Sequence, residues 1–310
     1  MADPRFVWTN GRIVPWAEAT VHVYSPAVKY GVGVFEGLRG YWNERAGELY
    51  VLRMEEHLDR LAYSTRVMRF DSPPARETMR DAVLQTLRAN EFRQNVHIRL
   101  SVYLEGTGEL GATGPVGAYC TAVPRSDSKR VSEGITAGVA SWRRPEDAAM
   151  PMRVKAHANY HNSRLATLEA EANGFGAAVV LNARGKVSEG PGMCLFLIRD
   201  GVAITPSITS DILESITRDA AIRLLRDELS VPVVERDVDR SELYAAGEVF
   251  FCGTAWEVTP VTAVDRLAVG DGRPGSITRR LQELYFAIAR GDSNAYAAWR
   301  TPVFASGRAS

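Results

Sequence analysis

Lys155 stands in the stretch "PMRVKAHANYHNSRLA", Pro151 to Ala166, and is one of only four lysines, with Lys29, Lys129 and Lys186, among 37 basic residues. Arginine supplies positive charge almost everywhere else, so a position that keeps lysine asks for something arginine cannot do. The neighbours Val154 and Ala156 are apolar. Two readings are open. A lysine can lay its stem along the surface and keep its head in water. It can instead be desolvated, which favours the neutral amine, a nucleophile able to form a Schiff base with a carbonyl.

Other stretches offer partners for that chemistry. In "GKVSEGPG", Gly185 to Gly192, Glu189 follows an apolar strand and precedes Gly-Pro-Gly. This is ordinary turn composition, or a carboxylate held where the backbone approaches a ligand closely. A pyridoxal ring nitrogen needs such an acidic partner to act as an electron sink. In "ILESITRDA", Ser215 fits an N-cap, with the helix starting at Ile216 and Thr217. The same geometry presents backbone N–H groups and a hydroxyl to a phosphate. "CGTAWEVTPV" ends a strand in Gly253-Thr254, small and polar, and Arg53 ends an apolar strand just before a helix. "YGVGVFEGLRGY", Tyr30 to Tyr41, reads either as sheet core or as the wall of an apolar pocket.

The elements that must position these residues are legible in outline. Strands are predicted over Phe6–Trp8, Arg12–Val14, Leu49–Leu52, Val96–Leu104 and Gly117–Val123, punctuated by Gly and Pro. Helical spacing joins Met54, Leu58, Leu61, Ala62, Thr65 and Met68 in one stripe and Met79, Val83, Leu84 and Leu87 in another. The polar stretch "VPRSDSKRVSEG" reads as a linker. It divides the chain into a smaller N-terminal α+β domain (1–123), a linker loop (124–133) and a larger C-terminal domain (134–310). After it come the strand-like "ITAGVASW", a long helix carried by Tyr160, Leu165, Leu168 and Ala172, and hairpins turning at "NARGK" and "RDG". A helix from near Ile216, strands in "VPVVERDV" and "EVFFCGT", and a last helix over Ile277–Arg290 complete the pattern. The chain is α+β and lacks the βαβ alternation and glycine fingerprint of a doubly wound sheet.

Bulk properties narrow the function class. With 310 residues, zero formal net charge and 24% charged residues, the chain shows neither the basic stripe of a nucleic-acid binder nor an acidic tail. Cys120, Cys194 and Cys252 are too widely spaced for a zinc site or a disulfide framework, which points to a reducing cytoplasm and to no metal. No apolar run reaches membrane-spanning length, and the start of the chain lacks the apolar core of a signal peptide.

Taken in order, "YGxxVFEGLR", "LRxxEHLxRL", "VxIR", "SW…K(A)xxNY", "SEGxG", "ITRDA" and "GTAxEVTPV" resemble the branched-chain amino-acid aminotransferases, which are fold-type IV pyridoxal-phosphate enzymes, over about Val7 to Tyr285. The resemblance implies a small N-terminal domain, a large domain with pseudo-barrel β-structure, and pyridoxal phosphate as cofactor. It implies ping-pong transfer of an amino group between a branched-chain L-amino acid and 2-oxoglutarate. Lys155 resembles the lysine that bonds the cofactor as an imine and shuttles the proton. Glu189 resembles the acid at the pyridine nitrogen, and Tyr160 the tyrosine beside the phenolic oxygen. Arg53, Ile216, Thr217 and Thr254 match phosphate-binding positions. Thr254 and Ala255 match the loop for the substrate carboxylate. Tyr30, Phe35, Gly37 and Trp142 match positions around the substrate side chain, and Arg99 one near its carboxylate end. Departures fall at His97, where the family has tyrosine, at Met193-Cys194 instead of Glu-Asn, and at His157-Ala158 instead of Gly-Gly. "LES" replaces Leu-Pro-Gly before the phosphate-binding Ile-Thr. The position of His97 faces the pocket in relatives, so an aromatic or unusual L-amino acid is an alternative donor; other fold-type IV enzymes add a D-amino acid or an (R)-amine as alternatives. A non-catalytic ligand-binding protein on the same fold is the alternative from another class. The resemblance also implies a homodimer or larger homo-oligomer.

Overall fold

The computed structural model describes residues 4–304. The chain divides into two compact units. The first comprises Met1–Ser126, Val154–Ala158 and Ala287–Ser310, and the second Asp127–Arg153 and Asn159–Phe286.

The first unit is built on a seven-stranded antiparallel sheet. Its strands are β1 Phe6–Thr9, β2 Arg12–Pro15, β3 Gly33–Asn43, β4 Glu48–Leu52, β5 Val96–Leu104 and β6 Val116–Pro124. A C-terminal strand, Arg300–Pro302, adds beyond β4, giving the order C-terminal strand, β4, β3, β5, β6, β1, β2. A short helix, α1 Pro26–Tyr30, precedes β3, and α2 Met54–Val67 and α3 Arg76–Asn90 follow β4. Side chains alternate across a strand. Val34 and Leu38 of β3 and Val96, Ile98, Leu100, Val102 and Leu104 of β5 therefore share one face. They form a core with Met54, Leu58 and Leu61 of α2 and Met79, Val83, Leu84 and Leu87 of α3. Ala62, read as part of the α2 stripe, is exposed. A second buried line on α2 takes its place, and that line is polar: His57 and Ser64.

The second unit holds α4 Lys129–Glu133, inside the stretch read as a linker, then β7 Ile135–Arg143 and α5 Asn159–Ala172. The strands β8 Ala177–Leu181, β9 Val187–Glu189, β10 Cys194–Arg199 and β11 Val202–Thr205 follow. The last elements are α6 Ile216–Arg223, β12 Val233–Glu235, β13 Glu248–Gly253, β14 Glu257–Val264, β15 Leu267–Ala268 and α7 Ser276–Arg290. The nine-stranded sheet runs β12-β11-β10-β13-β14-β7-β8-β9, with β15 on β14. The steps β11–β12, β14–β7 and β7–β8 are parallel, the others antiparallel. The sheet curls until its ends meet. The Val187 N–H at β9 donates to the Val238 carbonyl just after β12, and Lys186 bridges Asp239. Val179, Val187, Leu195, Leu197, Phe251 and Val261 fill its interior. This α+β chain thus contains the barrel-like β-structure that was expected.

One helix face differs from its sequence reading. On α5 the buried residues are Asn159, Ser163, Ala166 and Ala170, whereas Leu165 and Leu168 are 39% and 43% exposed. The helix lies against Ala178 and Val180, with Ala140 and Phe175 at the margin. Small side chains let a helix approach a sheet closely, so the seam selects alanine and serine. A hydrophobicity pattern weighted by large side chains points to the wrong face.

Candidate active site

The face of the first sheet away from α2 and α3 gathers polar and aromatic residues by register. Gly37 pairs with Arg99, Arg39 with His97, and Phe35 with Ser101. The Arg99 guanidinium lies 3.4 Å from the Phe35 ring centroid, and its Nε donates to Ser101 Oγ at 3.3 Å. A side chain at Gly37 would press on the His97 ring, its Cβ 3.2 Å from Cε1. Burial, and then the nearby Arg39, Arg125 and Arg99, lowers the His97 pKa to about 4, so this imidazole is neutral at physiological pH.

Lys155 is delivered to the first unit by the segment Val154–Ala158, which lies along the start of β3. The Phe35 N–H donates to the Lys155 carbonyl at 3.0 Å and the His157 N–H to the Gly33 carbonyl at 2.9 Å, with a bridge between Val34 and Ala156. Glycine is required at position 33, because a Cβ there would sit 2.6 Å from His157 Nδ1. Lys155 Nζ is 4.9 Å from the Phe35 ring centroid, and the Lys155 N–H donates to Ser64 Oγ at 3.4 Å. The His157 ring packs with its centroid 5.4 Å from that of Phe35. Burial and then Arg99 lower its pKa to about 4.

Arg53, His57, Arg60 and Ser64 recur at helical spacing along α2. Glu36 of β3 lies fully buried beneath them. It accepts from Arg60 Nε at 2.8 Å and Nη2 at 2.7 Å, and it contacts His57 Nδ1 at 2.7 Å. Burial alone pushes the Glu36 pKa up, but Arg60 and His57 more than offset this and bring it to about 2. A carboxylate whose folded value lies below its ordinary 4.5 stabilises the protein above that pH and loses the contribution as pH falls toward 2. Glu36→Gln is therefore expected to remove on the order of 3 kcal/mol at pH 7. Urea unfolding across pH 2–7 checks this, the gap between variant and parent narrowing below about pH 4.

Arg53 has a different setting from the other three. It caps α2 with φ 53°, its Nε donates to Glu56 Oε1 at 2.5 Å, and its guanidinium lies 4.5 Å from the Trp299 ring centroid. It stands about three helical turns from Ser64, whereas Arg60 is about one turn away. Tyr30 is exposed, and its hydroxyl donates to Glu109 Oε2 at 3.1 Å.

The second unit assembles a separate group. Glu189, 2% exposed at the end of β9, is held by Arg144 Nη2. Arg144 Nη1 also donates to Ser163 Oγ at 3.1 Å. Glu189 Oε1 accepts from the Leu213 N–H at 3.3 Å, and the Cys194 thiol lies 3.5 Å from Oε2. Burial first, then the Glu189 charge, raises the Cys194 pKa well above its ordinary value, so this sulfur stays a protonated, weak donor. The turn after Glu189 is closed by the Gly190 N–H donating to the Met193 carbonyl at 2.8 Å. A Cβ on Gly190 would meet the Met193 side chain at 2.7 Å, and one on Gly253 the Gly192 carbonyl at 3.3 Å. The Tyr160 ring edge lies beside Gly192.

Ser215 caps α6 as expected, its Oγ accepting from the Arg218 N–H at 3.2 Å, with Ile216 and Thr217 buried in the first turn. Between β13 and β14, the Trp256 N–H donates to the Gly253 carbonyl at 3.0 Å. That bond makes Thr254 and Ala255 the central residues of a tight turn, and the turn's own hydrogen bond does not use their N–H groups. Trp142 is 45% exposed at the end of β7.

These residues suit a phosphorylated pyridine aldehyde. An amine able to form an imine, a buried carboxylate for a ring nitrogen, and a capped helix N-terminus for a phosphate are all present. Glycines stand where side chains would obstruct. Sequence reasoning missed Arg144, which in an arginine-rich chain carries no local signal. It also missed Glu36, His57 and Arg60, although "EHLxRL" places two of them one helical turn apart. Among the described residues no group of His, Cys, Asp and Glu is arranged to hold a metal ion, and no helix is long and apolar enough to cross a membrane.

Comparison with known proteins points to the same cofactor. The Amino-transferase class IV family matches residues 33–264. The branched-chain-amino-acid aminotransferase of Salmonella typhimurium is 37% identical over 96% of this chain and 97% of its own length. The crystal structure of the Thermobaculum terrenum branched-chain amino acid aminotransferase in its PLP form superposes with a TM-score of 0.91 at 42% identity, covering 97% of this chain and 99% of that one. Another crystal structure, of the T.th. branched-chain amino acid aminotransferase complexed with N-(5'-phosphopyridoxyl)-L-glutamate, gives a TM-score of 0.91 at 36% identity over 97% and 99% of the two chains. With a family match over most of its length and full-length relatives of one kind, this chain belongs to the class IV aminotransferases, in the branched-chain-amino-acid aminotransferase family.

Proposed function

We propose that the protein is a pyridoxal-phosphate-dependent aminotransferase that moves the amino group between leucine, isoleucine or valine and 2-oxoglutarate. The observation that carries this reading is the buried Glu189, held by Arg144 next to a glycine turn, Tyr160 and the capped start of α6. When bound, pyridoxal phosphate supplies an electron sink for the bond broken at the substrate Cα. Glu189 would accept the hydrogen bond of the ring nitrogen, and Arg144, paired with it, holds the carboxylate in place. Tyr160 serves the phenolic oxygen. The first turn of α6, at Ile216 and Thr217, serves the phosphate together with Thr254. For the basic partner of that phosphate, the position of Arg60 one turn from Ser64 favours it over Arg53.

Lys155 Nζ would hold the cofactor covalently. Once freed by the substrate's amino group, it would take the proton from Cα as a base and deliver it, as an acid, to the former aldehyde carbon of the cofactor. Arginine cannot do this near neutral pH, because it does not give up its proton. The N–H groups of Thr254 and Ala255 hold the substrate carboxylate. Phe35, Gly37, Trp142 and Tyr30 border the side chain. Arg99, beside a neutral His97 and near Arg39 and Arg125, provides a positive field for the second carboxylate of 2-oxoglutarate. The phosphopyridoxyl-glutamate adduct held by the T.th. relative supports that acceptor.

At least a homodimer, working in the cytoplasm, completes the proposal. Val23, Tyr24, Val28, Tyr30 and Leu110 leave large apolar side chains exposed around α1, and apolar side chains grouped in this way suit an interaction surface. The deciding measurement is a panel of L- and D-amino acids and (R)-amines, each with 2-oxoglutarate and with pyruvate, in the presence of pyridoxal phosphate. Leucine, isoleucine and valine with 2-oxoglutarate are the expected best pairs; negligible turnover of all three sinks the reading.

A further inference from the structure

We infer that Arg130, on the helix between the predicted domains, is a positioning residue that sets the affinity for the substrate carboxylate. The inference rests on the proposed role of the Thr254–Ala255 turn. Three backbone groups of that turn are tied down. The Trp256 N–H closes it onto the Gly253 carbonyl, and the Trp256 carbonyl accepts from Thr259 Oγ1 at 2.5 Å. The third group, the Ala255 carbonyl, accepts from Arg130 Nη2 at 2.6 Å. The same guanidinium lies 4.2 Å from the Trp256 ring centroid, so one side chain grips both the backbone and the following aromatic residue.

The grip is braced from α7. Gln282 Nε2 donates to the Val131 carbonyl on α4 at 2.6 Å and to the Val258 carbonyl on β14 at 2.9 Å. The turn also needs holding, because Glu257, which follows it, is buried with φ 55°, a left-handed conformation that costs a non-glycine residue energy.

The chemistry fits an anion. A cation bonded to the Ala255 carbonyl polarises the peptide group between Ala255 and Trp256 and adds positive potential beside the turn. Its planar fork can bond a carbonyl while its face covers an indole, which the point charge of lysine cannot do equally well. Arg130 does not touch the substrate in this arrangement. It fixes the two N–H groups that do, so its loss weakens carboxylate binding while the machinery for proton transfer is left intact.

The test compares the parent with Arg130→Ala, Arg130→Lys and Trp256→Leu, all as holoenzyme. Expected for Arg130→Ala is a rise of about tenfold in KM for leucine and for 2-oxoglutarate, the scale of one hydrogen bond with a charged donor. The kcat and the cofactor absorption are expected to stay near those of the parent. Binding of 4-methylvalerate, a carboxylate with the side chain of leucine and no amino group, weakens in parallel. Arg130→Lys falls between the two, and Trp256→Leu moves KM in the same direction. Unchanged KM values and unchanged 4-methylvalerate affinity in Arg130→Ala overturn the inference. So does a fall in kcat or cofactor content without a change in KM, the mark of a purely structural role. A parent enzyme that does not transaminate leucine overturns the proposed function itself, a result visible before any variant is made.

Discussion

Lys155→Ala is expected to abolish transamination, with kcat falling by about ten-thousandfold or more, because one change removes both the covalent nucleophile and the proton carrier. The purified variant should also lose the near-visible absorption band of the parent. Its fold should persist, since the hydrogen bonds that seat the segment on β3 are made by the backbone of Lys155, His157 and Phe35. Lys155→Arg sharpens the experiment. It keeps length and charge, yet it should be as inactive as the alanine variant because guanidinium stays protonated. Single-turnover absorbance with leucine reads both effects, and an Ala variant turning over at the parent's rate excludes Lys155 as the catalytic amine.

The second large effect is expected at Glu189. Glu189→Gln should lower kcat by about a hundredfold or more, the scale of losing one preorganised electrostatic partner. It should also destabilise the protein, because the guanidinium of Arg144, buried with it, is left without its counter-charge; removing one partner of such a pair costs roughly 3–5 kcal/mol. The two losses can be separated. Adding Arg144→Met to Glu189→Gln should restore much of the melting temperature while leaving kcat low. Recovery of both together would contradict a direct role for Glu189 at the ring nitrogen.

How far the sequence foretold this site depended on whether the needed contacts are local. Lys155 stood out through scarcity, Glu189 through its Gly-Pro-Gly neighbour, and Ser215 through helix-capping chemistry that acts within three residues. All three are signals carried in a few adjacent positions. Arg144 was silent because its partner Glu189 is 45 residues away. Arg130 and Ala255 are 125 residues apart, and the stretch holding Arg130 has the composition of a loop. The fold followed the same rule. Strands and helices with clear periodicity, such as Val96–Leu104 and the stripe of α3, match the structure closely. The face of α5 did not, because tight packing there rewards smallness, which a hydrophobic pattern does not register. Arg53 illustrates the converse. Its place at a strand end was read from sequence, but only the structure shows its charge engaged by Glu56 and its plane by Trp299.

The way the two sheets end bears on how the protein behaves in a crowded solution. An open β-edge is a template onto which another chain can add, and so a route to aggregation. In the second unit the start of β9 is stitched to the chain just after β12 through Val187–Val238 and Lys186–Asp239, which occupies backbone groups that a stray strand would need. In the first unit the outermost strands are short and finish in Pro15 and Pro302, residues that have no N–H to offer. A protein rich in β-structure is thereby expected to resist edge-to-edge polymerisation at the high concentrations a metabolic enzyme reaches.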